Sequence, residues 1–161
     1  MEQPKWHALV CAGIRWRHAK QPARAIECLT QSIEITRRMP ELREETGTNL
    51  NYLADLYLQE GMLTEAENAI RQALGMRLGS PGPGRDFAMD DFLILATVLS
   101  KQGRHQEAVE AGEKGLAMYR RFHGYFNPLV REVRQRVKEL KQNRAQAKKS
   151  SRGLAPVKQV G

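Results

Sequence analysis

Along residues 50–74, apolar and small side chains recur every three or four positions, which is the spacing of one face of an α-helix. One face is formed by Leu50, Leu53, Ala54 and Tyr57, and a second by Ala66, Ala69, Ile70, Ala73 and Leu74. Gly61 lies between the two groups, where a left-handed residue closes a helix without steric strain. The stretch therefore predicts two helices joined by a tight turn and packed closely where their side chains are alanine. Thr64, with Glu67 three residues later, has the spacing of a capping box and is the expected start of the second helix.

The same pattern occurs three times along the chain. A shift of 42 residues places Gly61 on Gly103 and Ala66 on Ala108, and a shift of 41 in the other direction places Tyr57 on Trp16. Internal repeats of this length are typical of stacked helix pairs. The chain is therefore predicted to consist largely of three such pairs.

These residues resemble the signature of the tetratricopeptide repeat. The matching positions are Leu53, Ala54, Tyr57, Gly61, Ala66, Ile70 and Ala73 in the middle copy, Leu95, Ala96, Leu99, Gly103 and Ala108 in the third, and Gly13, Trp16, Ala25, Leu29 and Ser32 in the first. The period near 42 resembles the kinesin-light-chain type of repeat, in which a small loop follows the second helix. The resemblance implies an all-α solenoid with repeats at about residues 6–39, 47–80 and 89–122.

A final helix is predicted to cover the last repeat, because the end of a helical stack exposes an apolar face. Val130, Val133, Val137 and Leu140 form a narrow apolar stripe that suits this function, so the repeat domain is expected to span residues 1–142, with the capping helix at about 128–142. Gly112 and Gly115, inside the last repeat, are expected to let that following helix approach closely. From residue 143 to 161 the periodicity is lost, which predicts a disordered basic tail.

The net charge of +8 lies entirely in the C-terminal part of the chain. Residues 1–126 hold 16 Lys and Arg and 16 Asp and Glu, or 16 − 16 = 0, and residues 127–161 hold 10 and 2, or 10 − 2 = +8. The predicted basic surface consists of Arg131, Arg134, Lys138, Lys141 and Lys148. A solvated helix face explains this surface, and contact with nucleic acid or an acidic protein is the alternative. We expect no membrane contact, because the tail has no Trp or Phe to insert.

Composition and local motifs argue against several classes of protein. With 41% hydrophobic and 27% charged residues the chain is typical of a globular protein, and its apolar runs are too short to span a bilayer. The N-terminus has no secretory signal, so we expect a cytoplasmic protein in which Cys11 and Cys28 are free, small hydrophobic residues. The segment "GSPGPG" lacks the lysine and the hydroxyl residue of a phosphate-binding loop.

No catalytic constellation is recognisable in the sequence. His7, His18, His105 and His123 are scattered, without metal-ligand or triad spacing. Asp86, Asp90 and Asp91 are expected to be ordinary acids in the first turn of a helix, where they interact favourably with its dipole. We therefore expect no enzyme, no metal site and no cofactor.

The resemblance implies that the first helices of successive repeats line a concave groove for a peptide or a helix of another protein. The corresponding residues are Val10, Ile14, Arg17, Thr48, Asn51, Asp55, Leu93, Thr97 and Lys101. Asn51 is the most family-like, because an amide can donate to and accept from a peptide backbone. The clamp with which some members of the family grip chaperone tails is not reproduced, since Val10 and Ile14 replace its first lysine and asparagine.

The sequence thus predicts a non-enzymatic adaptor or scaffold that binds another protein through its groove. Binding of nucleic acid or an acidic partner through the basic helix and tail is the alternative. A module that works beside a separately encoded enzyme or regulator is a third hypothesis. A short stack of this kind can also self-associate through its ends.

Overall fold

A computed structural model describes residues 4–79 and 86–153. In these ranges the chain forms seven α-helices, namely α1 Lys5–His18, α2 Pro22–Thr36, α3 Arg43–Gln59, α4 Leu63–Leu78, α5 Ala88–Lys101, α6 His105–His123 and α7 Pro128–Gly153. A short 3-10 turn, Pro40–Leu42, precedes α3. Each helix packs on the next along the chain. The predicted all-α solenoid of three helix pairs and a C-terminal helix is confirmed.

The three turns inside the helix pairs have the same backbone conformation. Gly61 and Gly103 have φ angles of 76° and 78°, in the left-handed region that the pattern predicted. In the first pair Lys20 occupies the equivalent position with a φ of 56°, so a side-chain-bearing residue adopts the strained conformation there.

The small residues lie where the two helices of a pair meet. Ala54, Ala66 and Ala73 are completely buried, and Leu53 belongs to the same core as Ala54 and Ala73. Tyr57 and Trp16 are half-buried at the edge of this core, as the repeat pattern predicted. Because alanine adds no bulk beyond its methyl group, the helices of a pair approach closely.

The predicted capping box at Thr64 is wrong. Helix α4 begins at Leu63, its N-cap is Met62, and no side chain caps it. Glu67 instead accepts hydrogen bonds of 2.8 Å from both Arg71 and Arg104. Its charge is more stable between two guanidinium groups than in a single bond to a backbone N–H.

The two glycines of α6 accommodate different neighbours. A Cβ at Gly112 would lie 2.9 Å from the Leu140 side chain of α7, as expected for close approach of the following helix. At Gly115 the close groups belong to the preceding helix, with the carbonyl oxygen of Met89 at 3.1 Å and the Cβ of Phe92 at 3.2 Å. The expectation was thus right for Gly112 and wrong for Gly115.

Helix α7 covers the last repeat with the predicted stripe. Val130, Val133 and Val137 are buried against α6. The predicted disorder from residue 143 is wrong for residues 143–153, which continue the helix, and residues 154–161 lie outside the described residues. Arg144 donates a 3.0 Å hydrogen bond to Gln106 at the start of α6, which fixes this extension to the body.

Candidate functional site

A groove with a volume of about 710 Å³ lies between α3, α5 and α7. We call it the C-terminal groove. Its apolar lining comes mainly from Leu58, Leu93, Ile94, Leu129, Val133, Val137 and Leu140. Its charged lining consists of Asp55, Asp90, Lys101, Glu132, Arg136 and Glu139, an excess of two acids over the cations (4 − 2 = 2). An apolar floor with a charged margin is suited to an amphipathic segment of another protein.

A second groove, of about 390 Å³, lies between α1 and α3. We call it the N-terminal groove. Its lining is more aromatic and contains Trp6, His7, Val10, Cys11, Ile14, Glu44, Glu45, Thr48, Asn49, Tyr52, Arg77 and Phe87. Cys11 and the second cysteine, Cys28, are both free and half-buried.

The nine groove residues named from the sequence fall into three groups. Val10, Ile14 and Thr48 line the N-terminal groove, whereas Asp55, Leu93, Thr97 and Lys101 line the C-terminal groove. Arg17 and Asn51 line neither of the two grooves. The predicted continuous surface is therefore divided into two cavities that share no lining residue.

Arg17 and Asn51 are engaged by other side chains of the chain itself. Arg17 donates a 2.6 Å hydrogen bond to Asp55, in an ion pair between α1 and α3. Asn51 donates a 2.6 Å hydrogen bond from its side-chain amide to Asp91 of α5. A partner segment would have to compete with these bonds, so the amide of Asn51 is less available than the sequence indicated.

Asp91 is the centre of a buried polar network between the second and third repeats. Its carboxylate is fully buried and accepts a 3.0 Å hydrogen bond from Arg77, which also donates to the carbonyl oxygen of Phe87 at 2.8 Å. Burial raises the pKa of Asp91 to about 6, against the opposing attraction of Arg77 and the bond from Asn51. Asp91 lies in the first turn of α5, as predicted, but its buried ion pair with Arg77 makes it more than an ordinary partner of the helix dipole.

Asp90, the neighbouring acid, lies at the edge of the C-terminal groove. It accepts a hydrogen bond from the hydroxyl of Tyr119 on α6. Burial and this bond to a carboxylate raise the pKa of Tyr119, so its hydroxyl stays protonated. Within residues 4–79 and 86–153, no group of three or more His, Cys, Asp or Glu side chains could hold a metal ion.

The basic surface named from the sequence is partly occupied by internal contacts. Lys141 pairs with Glu113 at 2.8 Å, and the guanidinium of Arg134 lies 4.5 Å from the centre of the Tyr125 ring. Arg131, Lys138 and Lys148 are exposed. The stripe is therefore less continuous than its spacing indicated.

The sequence analysis missed the contribution of α7 to the C-terminal groove. Leu129, Glu132, Arg136 and Asn143 line it, although α7 was predicted only as a cap. The repeat period contains the missing signal, because Thr97 and Lys101 shifted by 42 residues fall on Glu139 and Asn143, two other lining residues. The same shift applied to the groove positions of α5 would have identified this face of α7.

Stacked helix pairs with grooves along the first helix of each pair define an α-solenoid built from helical repeats. Residues 50–78 and 94–129 match family profiles described as tetratricopeptide repeat. The chain is a tetratricopeptide-repeat protein. Its assignment to the kinesin-light-chain type stays a prediction.

Solved structures of other tetratricopeptide-repeat domains have the same fold. The first such domain of Spaghetti (RPAP3), bound to the HSP90 peptide SRMEEVD, is 15% identical with a TM-score of 0.67 and covers 90% of this chain and 97% of its own. The N-terminal domain of stress-induced protein-1 from C. elegans is 18% identical with a TM-score of 0.65, and the match covers 84% of this chain and 94% of that domain. The tetratricopeptide-repeat domain of Sgt2 from Aspergillus fumigatus is 18% identical with a TM-score of 0.65, and the match covers 99% of this chain and 90% of that domain.

No curated protein sequence is significantly similar to the chain. In the ranges that the structure describes, none of the helices has the length and apolar character needed to cross a membrane.

Proposed function

We propose that this protein is a non-enzymatic adaptor that holds a peptide or a helix of a partner protein in the C-terminal groove. The observation that carries the proposal is the lining of this groove, in which side chains of three helices form an apolar floor with charges around it. Such a surface binds apolar anchors of a partner while the charges fix its orientation. Thr97 and Lys101, both exposed on α5, belong to this lining.

The expected partner segment differs from the peptide named for RPAP3. That peptide, SRMEEVD, carries three acidic residues. The C-terminal groove has an excess of two acids, and Val10 and Ile14 offer no charge in the N-terminal groove. Like charges disfavour an acidic tail, so a segment with apolar anchors and basic or neutral flanking residues fits better.

The remaining expectations belong to the same proposal. The repeat boundaries at about 6–39, 47–80 and 89–122, the cytoplasm as compartment and self-association through the ends stay predictions. The comparisons do not favour nucleic-acid binding, and the ion pair of Lys141 with Glu113 reduces the free basic surface.

The test compares how strongly a partner peptide binds after the same substitution at two exposed threonines, one inside the groove and one outside it. A partner is isolated by affinity purification, its binding segment is mapped on overlapping peptides, and the Kd of the labelled segment is measured by fluorescence anisotropy. Thr97→Arg places a long side chain in the C-terminal groove and is expected to raise Kd at least about tenfold, because lost packing of 1.4 kcal/mol has that effect. Thr64→Arg, on an exposed position of α4 outside both grooves, is the control and is expected to leave Kd unchanged.

A third variant distinguishes the two grooves. Ile14→Arg fills the N-terminal groove and is expected to have little effect on Kd. A loss of binding in Ile14→Arg but not in Thr97→Arg would move the site to the N-terminal groove. Unchanged Kd values in both variants, with the helical circular dichroism retained, would refute the groove proposal.

A further inference from the structure

Four large apolar side chains are exposed together where α6 ends and α7 begins. Phe122, Tyr125 and Leu129 are 58%, 57% and 48% exposed, and Phe126 is 95% exposed. The rings of Tyr125 and Phe126 contact each other edge to face, with centroids 5.4 Å apart. We call these four residues the aromatic corner. Clustered exposure of this kind marks an interaction surface more often than scattered exposed apolar residues do.

Three arginines flank the aromatic corner along the chain. Residues 120–131 contain Arg120, Arg121 and Arg131 and no Asp or Glu, and the exposed Glu132 that follows is paired with Arg136. The guanidinium groups of Arg120 and Arg134 lie 5.6 Å and 4.5 Å from the centre of the Tyr125 ring. These cation–π contacts keep positive charge directly beside the exposed rings.

The backbone of the aromatic corner is ordered by local hydrogen bonds. Gly124 has a φ of 80°, which allows the sharp turn after α6, and its N–H donates to the carbonyl oxygen of Arg120 at 3.0 Å. The side chain of Asn127 accepts a 2.9 Å bond from the N–H of Leu129 at the start of α7. The apolar side chains therefore project from a fixed turn, and their exposure requires no local unfolding.

We propose that the aromatic corner docks this protein peripherally on an anionic membrane surface. Phe122 and Phe126 would enter the boundary between headgroups and acyl chains, and the surrounding arginines would contact lipid phosphates. The expectation of no membrane contact rested on the basic tail, which lacks Trp and Phe. The aromatic corner precedes that tail and combines rings with cations.

The shape of the aromatic corner favours a bilayer over other anionic partners. Of its four residues only Leu129 lines either groove, and the side chains of the other three are more than half exposed. A protein partner would need a complementary cavity for them, whereas a fluid bilayer needs none. Single-stranded nucleic acid stacks its bases on free ring faces, but Tyr125 already has two guanidinium groups near its ring.

The test is co-sedimentation of the full chain with lipid vesicles. We expect binding to vesicles that contain phosphatidylserine, no binding to pure phosphatidylcholine vesicles, and weaker binding as salt is added. Phe122→Ser with Phe126→Ser is expected to lower the partition coefficient at least about tenfold, because two aromatic side chains no longer leave water. Arg121→Gln with Arg131→Gln is expected to lower it about fivefold per arginine.

Two double variants elsewhere serve as matched controls. Met62→Ser with Leu78→Ser removes two exposed apolar side chains outside the corner, which are 38% and 41% exposed. Arg15→Gln with Arg38→Gln removes the same charge as the arginine variant at other exposed positions. Both are expected to retain most of the binding, and circular dichroism verifies that every variant is folded.

Three outcomes would overturn the proposal. The first is no binding of the wild type to anionic vesicles at low salt. The second is unchanged vesicle binding of the double variant Phe122→Ser with Phe126→Ser, which would assign the binding to the basic helix alone. The third is binding of oligothymidine or polyglutamate that depends on these two phenylalanines while vesicle binding does not.

Discussion

Arg77 and Asp91 form an ion pair of 3.0 Å in which the two side chains are only 6% and 0% exposed. Arg77 lies near the end of the second repeat and Asp91 near the start of the third. Helix α3 adds Asn51, which donates to the same carboxylate oxygen. The pair therefore connects two repeats that the ion pair of Glu67 with Arg104 also joins, and it restricts how they can rotate against each other.

Removal of either partner is expected to destabilise the protein much more than removal of both. Arg77→Met or Asp91→Leu leaves the buried charge of the other residue unpaired and should lower the unfolding free energy by about 3–5 kcal/mol at neutral pH. The double variant Arg77→Met with Asp91→Leu should recover most of that loss, since no unpaired charge remains. Urea denaturation of the four proteins measures the coupling, and additive losses would contradict a buried ion pair.

Stability is expected to rise as the pH falls from 7 to about 4. Asp91 has a pKa of about 6 in the folded state, above the 3.8 of a free side chain, so the folded protein binds a proton more tightly in this range. The unfolding free energy should increase by up to about 3 kcal/mol between these pH values. Denaturation at several pH values tests this, and Asp91→Asn should abolish the rise, whereas Asp86→Asn, at an exposed position, should retain it.

Below about pH 4.5 the trend is expected to reverse because of Glu67. Burial opposes its charged form, but hydrogen bonds from Arg104, Gln102 and Arg71 outweigh this and lower its pKa to about 2. The stability contributed by its charge is thus present above about pH 4.5 and lost as the pH falls through 2. In the same pH series, Glu67→Gln should reduce the loss of unfolding free energy below about pH 4.5. An unchanged loss would show that these hydrogen bonds do not form in solution.

The left-handed turn at Lys20 is expected to be a weak point of the first repeat. A non-glycine residue in this conformation costs about 1 kcal/mol relative to glycine. Lys20→Gly should therefore raise the melting temperature by roughly 3 °C. Gly61→Ala, at the equivalent turn with a φ of 76°, should lower it by a similar amount. A lower melting temperature for Lys20→Gly would contradict the equivalence of the two turns.

Alanine is expected to have opposite effects at two helical glycines. At Gly115 a Cβ would meet the Met89 carbonyl oxygen at 3.1 Å, and Gly115→Ala should destabilise by about 1–3 kcal/mol because backbone cannot give way easily. At Gly75, in α4, nothing lies within 4 Å, so Gly75→Ala should stabilise by about 1 kcal/mol. Equal effects of Gly115→Ala and Gly75→Ala in thermal denaturation would show that the packing of α5 on α6 does not require glycine at position 115.

The extension of α7 shows where sequence patterns stop being informative. The apolar stripe ends at Leu140, and the following residues have no amphipathic period that would predict a helix. Alanine, glutamine, lysine and arginine nevertheless favour helix, and the N-terminal end of α6 offers a surface for Arg144 and the half-buried Ala147. That surface exists only after α7 has folded back along α6, so local periodicity could not reveal it.

The sequence by itself determined the helix pairs, the turns at Gly61 and Gly103 and the stripe of α7. These features depend on residues three or four positions apart or on one backbone conformation, which a linear pattern contains. Only the tertiary structure decided that Asn51 binds Asp91 across 40 residues, that the concave surface forms two grooves and that aromatic rings meet arginines at one corner. Such contacts depend on how successive repeats are placed against each other, and packing over the whole chain sets that placement.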